Sequence, residues 1–100
     1  MKVELWMASD LCRLPDVPVN EYAHRLAFFY EDNVSKSARS ASERAWRITN
    51  AAINRLEGEE LQLRLQFESV APGQALSVGD MVKVNGATMI CERVGFSIPT

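Results

Sequence analysis

The chain has 100 residues, 47% of them apolar and 24% charged, with 11 Lys and Arg against 13 Asp and Glu. A length near the commonest domain size describes one globular domain that buries its own core without a metal or disulfide staple, and the composition excludes disorder, collagen-like repetition and a cysteine scaffold. A formal net charge of −2 also argues against the strongly basic field of a dedicated nucleic-acid binder.

Val3, Leu5 and Met7 alternate with Glu4 and Trp6, which predicts a half-buried strand with Trp6 on the face opposite Leu5. The same stretch carries an acid at position 4 and no apolar run of the kind a secretory signal requires. Nothing elsewhere approaches a membrane span, so a cytoplasmic setting and no membrane partner are expected. In that setting Cys12 and Cys91 are expected as reduced thiols packed like small apolar groups, and the glycosylation sequon Asn33-Val34-Ser35 is idle.

Asp10, Pro15, Asp16 and Pro18 make Ser9 to Pro18 a connecting segment. Asn20 then suits a helix cap, and Tyr22, Leu26 and Phe29 fall on one helical face that Phe28 and Tyr30 widen, with Asn33 as the stop. A first helix is therefore expected here. A second is predicted from about Ser37 to Ala52, where Ala38, Ala41, Ala45, Ile48 and Ala52 recur at helical spacing. Its narrow stripe permits close approach to a neighbour, while Lys36, Arg39, Glu43 and Arg47 lie on the other side and Trp46 sits at the boundary.

From Leu61 to Glu68 two signals conflict. Leu61, Leu63, Leu65 and Phe67 alternate with polar residues at the period of a strand, yet every residue in the run except Phe67 is a good helix former and none is β-branched. Glu57, Glu59 and Glu60 suit a first helical turn, and a third helix is the expectation. Further on, Met81-Val82-Lys83-Val84 and Thr88-Met89-Ile90-Cys91 flank Asn85-Gly86, which predicts a β-hairpin closed by a type I′ turn. Leu76 to Asp80 leads into its first strand, and Gly95 to Ile98 continues or ends its second, with Pro99 as the stop.

The run Gln74-Ala75-Leu76-Ser77-Val78-Gly79-Asp80-Met81-Val82-Lys83-Val84-Asn85-Gly86, followed by Val94-Gly95-Phe96, resembles the end of the YodL-like domains of plasmids, phages and other mobile elements. Ser42 to Asn50 looks like that family's helix ending in an aromatic and an Asn, although Ala75 departs from the usual Ser. The resemblance covers roughly the last 60 residues. It implies a fold and a mobile-element setting, and it carries no activity.

Turn chemistry alone explains the residue types at Ser77, Gly79 and Asp80, and a polar turn at a binding edge is the functional alternative. His24 is the only histidine, and no CxxC, HExxH, GxxxxGK[ST] or GxGxxG motif is present, so no cofactor, metal or catalytic residue is expected. A thiol-dependent enzyme built on Cys12 or Cys91 is the least favoured reading. Charge is less even along the chain than in total: residues 1–35 carry −3, residues 36–56 carry +4 and residues 57–100 carry −3.

Together these features predict an α+β domain in which a small, mainly antiparallel sheet with a C-terminal β-hairpin packs against two or three helices. Its sheet is expected to comprise the N-terminal strand, the Leu76–Val78 piece and the hairpin. The expected role is non-enzymatic binding of a macromolecular partner, a protein in preference to nucleic acid. Candidate binding residues are Lys36, Arg39, Arg44, Trp46, Arg47, Asn50, Ser77 and Asp80; nucleic acid would be held by Lys36, Arg39, Arg44, Arg47 and Arg55.

Overall fold

The structure, a computed structural model, describes residues 1–8 and 24–98. Five strands form one antiparallel sheet in the order β2-β1-β3-β4-β5: β1 (Lys2–Ala8), β2 (His24–Glu31), β3 (Met81–Val84), β4 (Ala87–Cys91) and β5 (Phe96–Ser97). Two helices, α1 (Ala38–Asn50) and α2 (Gly58–Val70), cover one face, and the short 3₁₀ turn Ile53–Arg55 joins them. The α+β architecture expected from the sequence is the one observed.

Alternation along β1 decides which face is covered. Val3, Leu5 and Met7 are buried toward the helices, where Val82 and Val84 of β3 and Met89 and Cys91 of β4 join them. Glu4 and Trp6 lie on the other face, and the Lys83 ammonium stands 4.4 Å from the Trp6 ring centroid. The hairpin turn has Asn85 at φ 50 and Gly86 at φ 85, the left-handed pair that a two-residue type I′ connection needs.

In α1 the small stripe does what its size allows. Ala41, Ala45 and Ile48 are each at most 1% exposed and lie against the sheet on the β3–β5 side. The helix ends at Asn50, so Ala52 falls outside it and is exposed. At the other end Ser37 caps it: the Ser37 hydroxyl accepts the Ser40 N–H at 3.1 Å, and Ser40 Oγ accepts the Ser37 N–H.

Residues 58–70 are helical despite their alternating leucines. Packing uses only Leu63 and Phe67, one turn apart, while Leu65 is 44% exposed. Phe67 meets Phe28 of β2 edge-to-face, with ring centroids 5.8 Å apart. Helix-forming side chains, with Glu59 and Glu60 in the first turn, outweigh a strand period that finds no second sheet among the described residues to bury against.

Three expectations are corrected. Residues 24–31, assigned to a helix capped at Asn20 and stopped at Asn33, form strand β2. The register explains the misleading spacing: Leu5 pairs with Phe28 but Trp6 pairs with Leu26, so a bulge absorbs Ala27. That extra residue puts Leu26 and Phe29, three apart, on one sheet face and imitates a helical stripe. Secondly, Leu76–Val78 is no strand. Its backbone bonds run instead to helix side chains, Leu76 N–H to Thr49 Oγ1 at 3.2 Å and Leu76 O from Asn50 Nδ2 at 3.0 Å. Thirdly, the second hairpin strand ends at Cys91, and the chain reverses through residues 92–95 so that β5 returns antiparallel to it. The expected connector Ser9–Pro18, Cys12, Asn20, Tyr22 and Pro99 lie outside the described residues.

Replacing Ser37 by Ala removes the cap from the helix that covers β3 to β5, and urea denaturation should show a loss of about 1 kcal/mol.

Candidate functional site

The basic segment is the first place to look for a binding face, and the structure divides its charges. Arg44 is 8% exposed and turned inward: Nε donates to Glu60 Oε2 at 2.8 Å, Nη2 to Glu59 Oε1 at 3.2 Å, and Nη1 stands 3.1 Å from Asp32 Oδ1. Arg47 donates to the same Glu60 carboxylate. Arg39 reaches across to β5 and donates from Nη1 to Phe96 O at 2.9 Å. Lys36 and Arg55 are exposed. The two acids that α2 carries in its first turn therefore offset part of the charge that α1 concentrates.

Asp32 is the residue that this arrangement depends on and that sequence reading passed over. It follows β2 directly and is 1% exposed, with Oδ1 accepting the N–H groups of Val34 and Ser35 at 2.8 Å and Oδ2 accepting the Ser35 hydroxyl at 2.6 Å. Burial alone would raise the pKa of this carboxyl, but the Ser35 and Val34 hydrogen bonds and the Arg44 charge outweigh it and hold the value at about 2. Glu60 shows the same contest: burial raises its pKa, and the hydrogen bonds and charges of Arg44 and Arg47 carry it below the usual range. For Arg44 burial works against the cation, and Glu60, Glu59 and Asp32 more than reverse it. Burial, with Asp32 nearby, pushes the Tyr30 hydroxyl above the ordinary tyrosine range.

Ser77 and Asp80 also turn out to be construction. Asp80 is fully buried; Oδ1 accepts the Ala8 N–H and Oδ2 the Ser77 N–H, both at 2.9 Å, while its own N–H and C=O bond Ser77 O and Cys91 N–H. Gly79, at φ 96, donates to Cys91 O, and His24 Nε2 lies 2.7 Å from Gly79 O. One turn thus ties β1, β2 and β4 together. Asn50 ties it onward to α1, its Nδ2 donating to both Trp46 O and Leu76 O at 3.0 Å.

Trp46 remains open. It is 45% exposed and forms one wall of a cleft of about 310 Å³ between α1 and the β4–β5 turn, lined by Glu43, Trp46, Glu92, Arg93, Gly95 and Phe96. Each wall has a local cause. Glu43 and Trp46 are three apart and so share a helix face. The turn opposite is tight, with Gly95 at φ 72 and Glu92 N–H bonded to Gly95 O at 3.0 Å, and Ser97 Oγ donates to Glu92 Oε1 at 2.6 Å. The Arg39 bond to Phe96 O ties α1 to the strand that follows the turn. Trp46 is legible in the sequence, whereas Glu92 and Phe96 are not, because the expectation that Gly95 to Ile98 continues or ends the second hairpin strand contains no reversal at residues 92–95.

Among the described residues, no group of three or more His, Cys, Asp and Glu could hold a metal ion. Cys91 is packed in the core, 2% exposed. No helix among the described residues is long and apolar enough to cross a membrane. The chain matches no protein-family profile, and no curated protein or solved structure is significantly similar to it.

Truncating Arg44 to Ala strips the counter-charge from Asp32, which is buried, and from Glu60. Stability measured by urea denaturation should fall by about 3–5 kcal/mol, against less than about 1 kcal/mol for Arg47→Ala on the exposed side. Acid gives a second measure. The Asp32 pKa is lower in the folded than in the unfolded chain, so its contribution of about 2 kcal/mol is complete above about pH 4 and is lost as pH falls through about 2. Acid titration followed by circular dichroism should show that loss, and Asp32→Asn should flatten it.

Proposed function

We propose that the chain is a non-enzymatic interaction module that docks a segment of a protein partner in the cleft between α1 and the β4–β5 turn, with Trp46 as the anchor. The observation that carries this reading is a large aromatic left 45% exposed beside a concave site, when its neighbours Ala45 and Ile48 are buried. The lining is mixed, the Arg93 guanidinium and the Glu43 and Glu92 carboxylates beside the apolar side chains of Trp46 and Phe96. Such a lining suits a peptide segment and repels a polyanion. Nucleic acid is the weaker reading because Arg44 and Arg47, two of the five cations it would use, are engaged by α2 carboxylates. A plasmid- or phage-borne accessory role in the cytoplasm is part of the proposal, supported by the resemblance of residues 74–86 and 94–96 to YodL-like domains.

Affinity capture from host lysate with the tagged chain should recover a stoichiometric protein partner. Trp46→Ala should weaken that capture by at least about tenfold with an unchanged melting temperature, and Arg55→Ala should leave it intact. Recovery of DNA or RNA instead, falling steeply with salt, abolished by Arg39→Glu with Arg55→Glu and indifferent to Trp46→Ala, overturns the protein reading.

A further inference from the structure

We propose that β2 is the contact through which two copies of this chain join edge to edge, in antiparallel pairing about a twofold axis that passes near Phe28. The sheet has two edges of very different character. β5 is two residues long, whereas β2 is eight, and among the described residues no strand lies on its far side. Edge strands of that length are ordinarily blunted by Pro or by charges along their middle. The middle of β2, Leu26 to Tyr30, carries neither. Leu26 is 41% and Phe29 62% exposed, and with Ala27, Phe28 and Val70 of α2 they line an apolar groove of about 310 Å³.

The occupant is decided by self-complementarity. Because the bulge absorbs Ala27, Leu26 and Phe29 project to the same face. A twofold axis near Phe28 then sets Leu26 of each copy opposite Phe29 of the other, and Arg25 opposite Tyr30, with every opposed pair on a common face. A shift of one residue puts opposed side chains on opposite faces of the sheet. The same axis sets His24 of one strand opposite Glu31 of the other, on the face that carries Leu26 and Phe29; the Glu31 carboxylate also stands 3.6 Å from the Met1 amine of its own chain. The product is a ten-stranded sheet covered by helices on one face, with the Trp46 cleft of each copy near the far edge. The pairing is independent of what that cleft binds.

Sedimentation equilibrium of the chain over a range of concentrations tests the pairing, read together with hydrogen exchange. The expected result is a monomer–dimer equilibrium, with amide protection in residues 25–31 rising as the dimer forms. Phe29→Lys and, separately, Leu26→Lys should each raise the dimer dissociation constant at least about tenfold while leaving unchanged the melting temperature of the monomer, taken at a concentration below that constant, since both side chains are exposed in one copy. A monomer up to millimolar concentration, a dimer indifferent to both lysine variants, or open-ended oligomers would overturn the proposal.

Discussion

The Arg44 guanidinium, turned inward among Asp32, Glu59 and Glu60, is the contact on which the rest of the fold is arranged. It joins three separate parts of the chain: the end of β2, the middle of α1 and the first turn of α2. None of these carboxylates could be drawn so close to the others without the cation between them, and the cation could not be so nearly buried without them. Asp32 is further fixed by its hydrogen bonds to Val34 and Ser35, so the bend after β2 and the start of α1 are set by the same group.

That anchor also changes what α1 presents to solvent. A segment of +4 looks like an adhesive face for phosphate when it is read as a string. Folded, it has the α2 acids against its flank, and Arg39 is engaged by a backbone carbonyl of β5. What α1 then offers outward is Trp46, beside Glu43 and opposite a tight turn that the Arg39 contact helps to hold. At its C-terminal end Thr49 and Asn50 bond the backbone of Leu76, and from there the Ser77–Asp80 turn reaches β1 and β4. Residues 76–80 are therefore the connector between helix and sheet.

Legibility in the sequence varied with how local each cause is. The hairpin around Asn85-Gly86, the alternation of β1 and the helix of residues 38–50 all follow from neighbours within a few positions, and each could be read directly. Strand β2 could not, because its bulge is defined only against β1, and without that register Leu26 and Phe29 carry a helical spacing. Leu76 could not, because an apolar residue whose backbone bonds go to Thr49 and Asn50 has the same composition as one in a ladder. Of the candidate binding residues, Trp46 was legible as a boundary aromatic. The partition among Arg39, Arg44 and Arg47 was not, since it depends on carboxylates 12 to 16 positions away and, for Arg39, on a backbone carbonyl 57 positions away.

The sequence by itself determined the fold class, the covered face of β1, the small-sided helix and the hairpin, because side-chain periodicity and turn chemistry act over short distances along the chain. Only the tertiary structure decided which strand is outermost at the long edge of the sheet among the described residues, which arginine is buried, and that the walls of the cleft meet. These outcomes depend on pairing register and on ion pairs between distant segments, and both are set when surfaces dock.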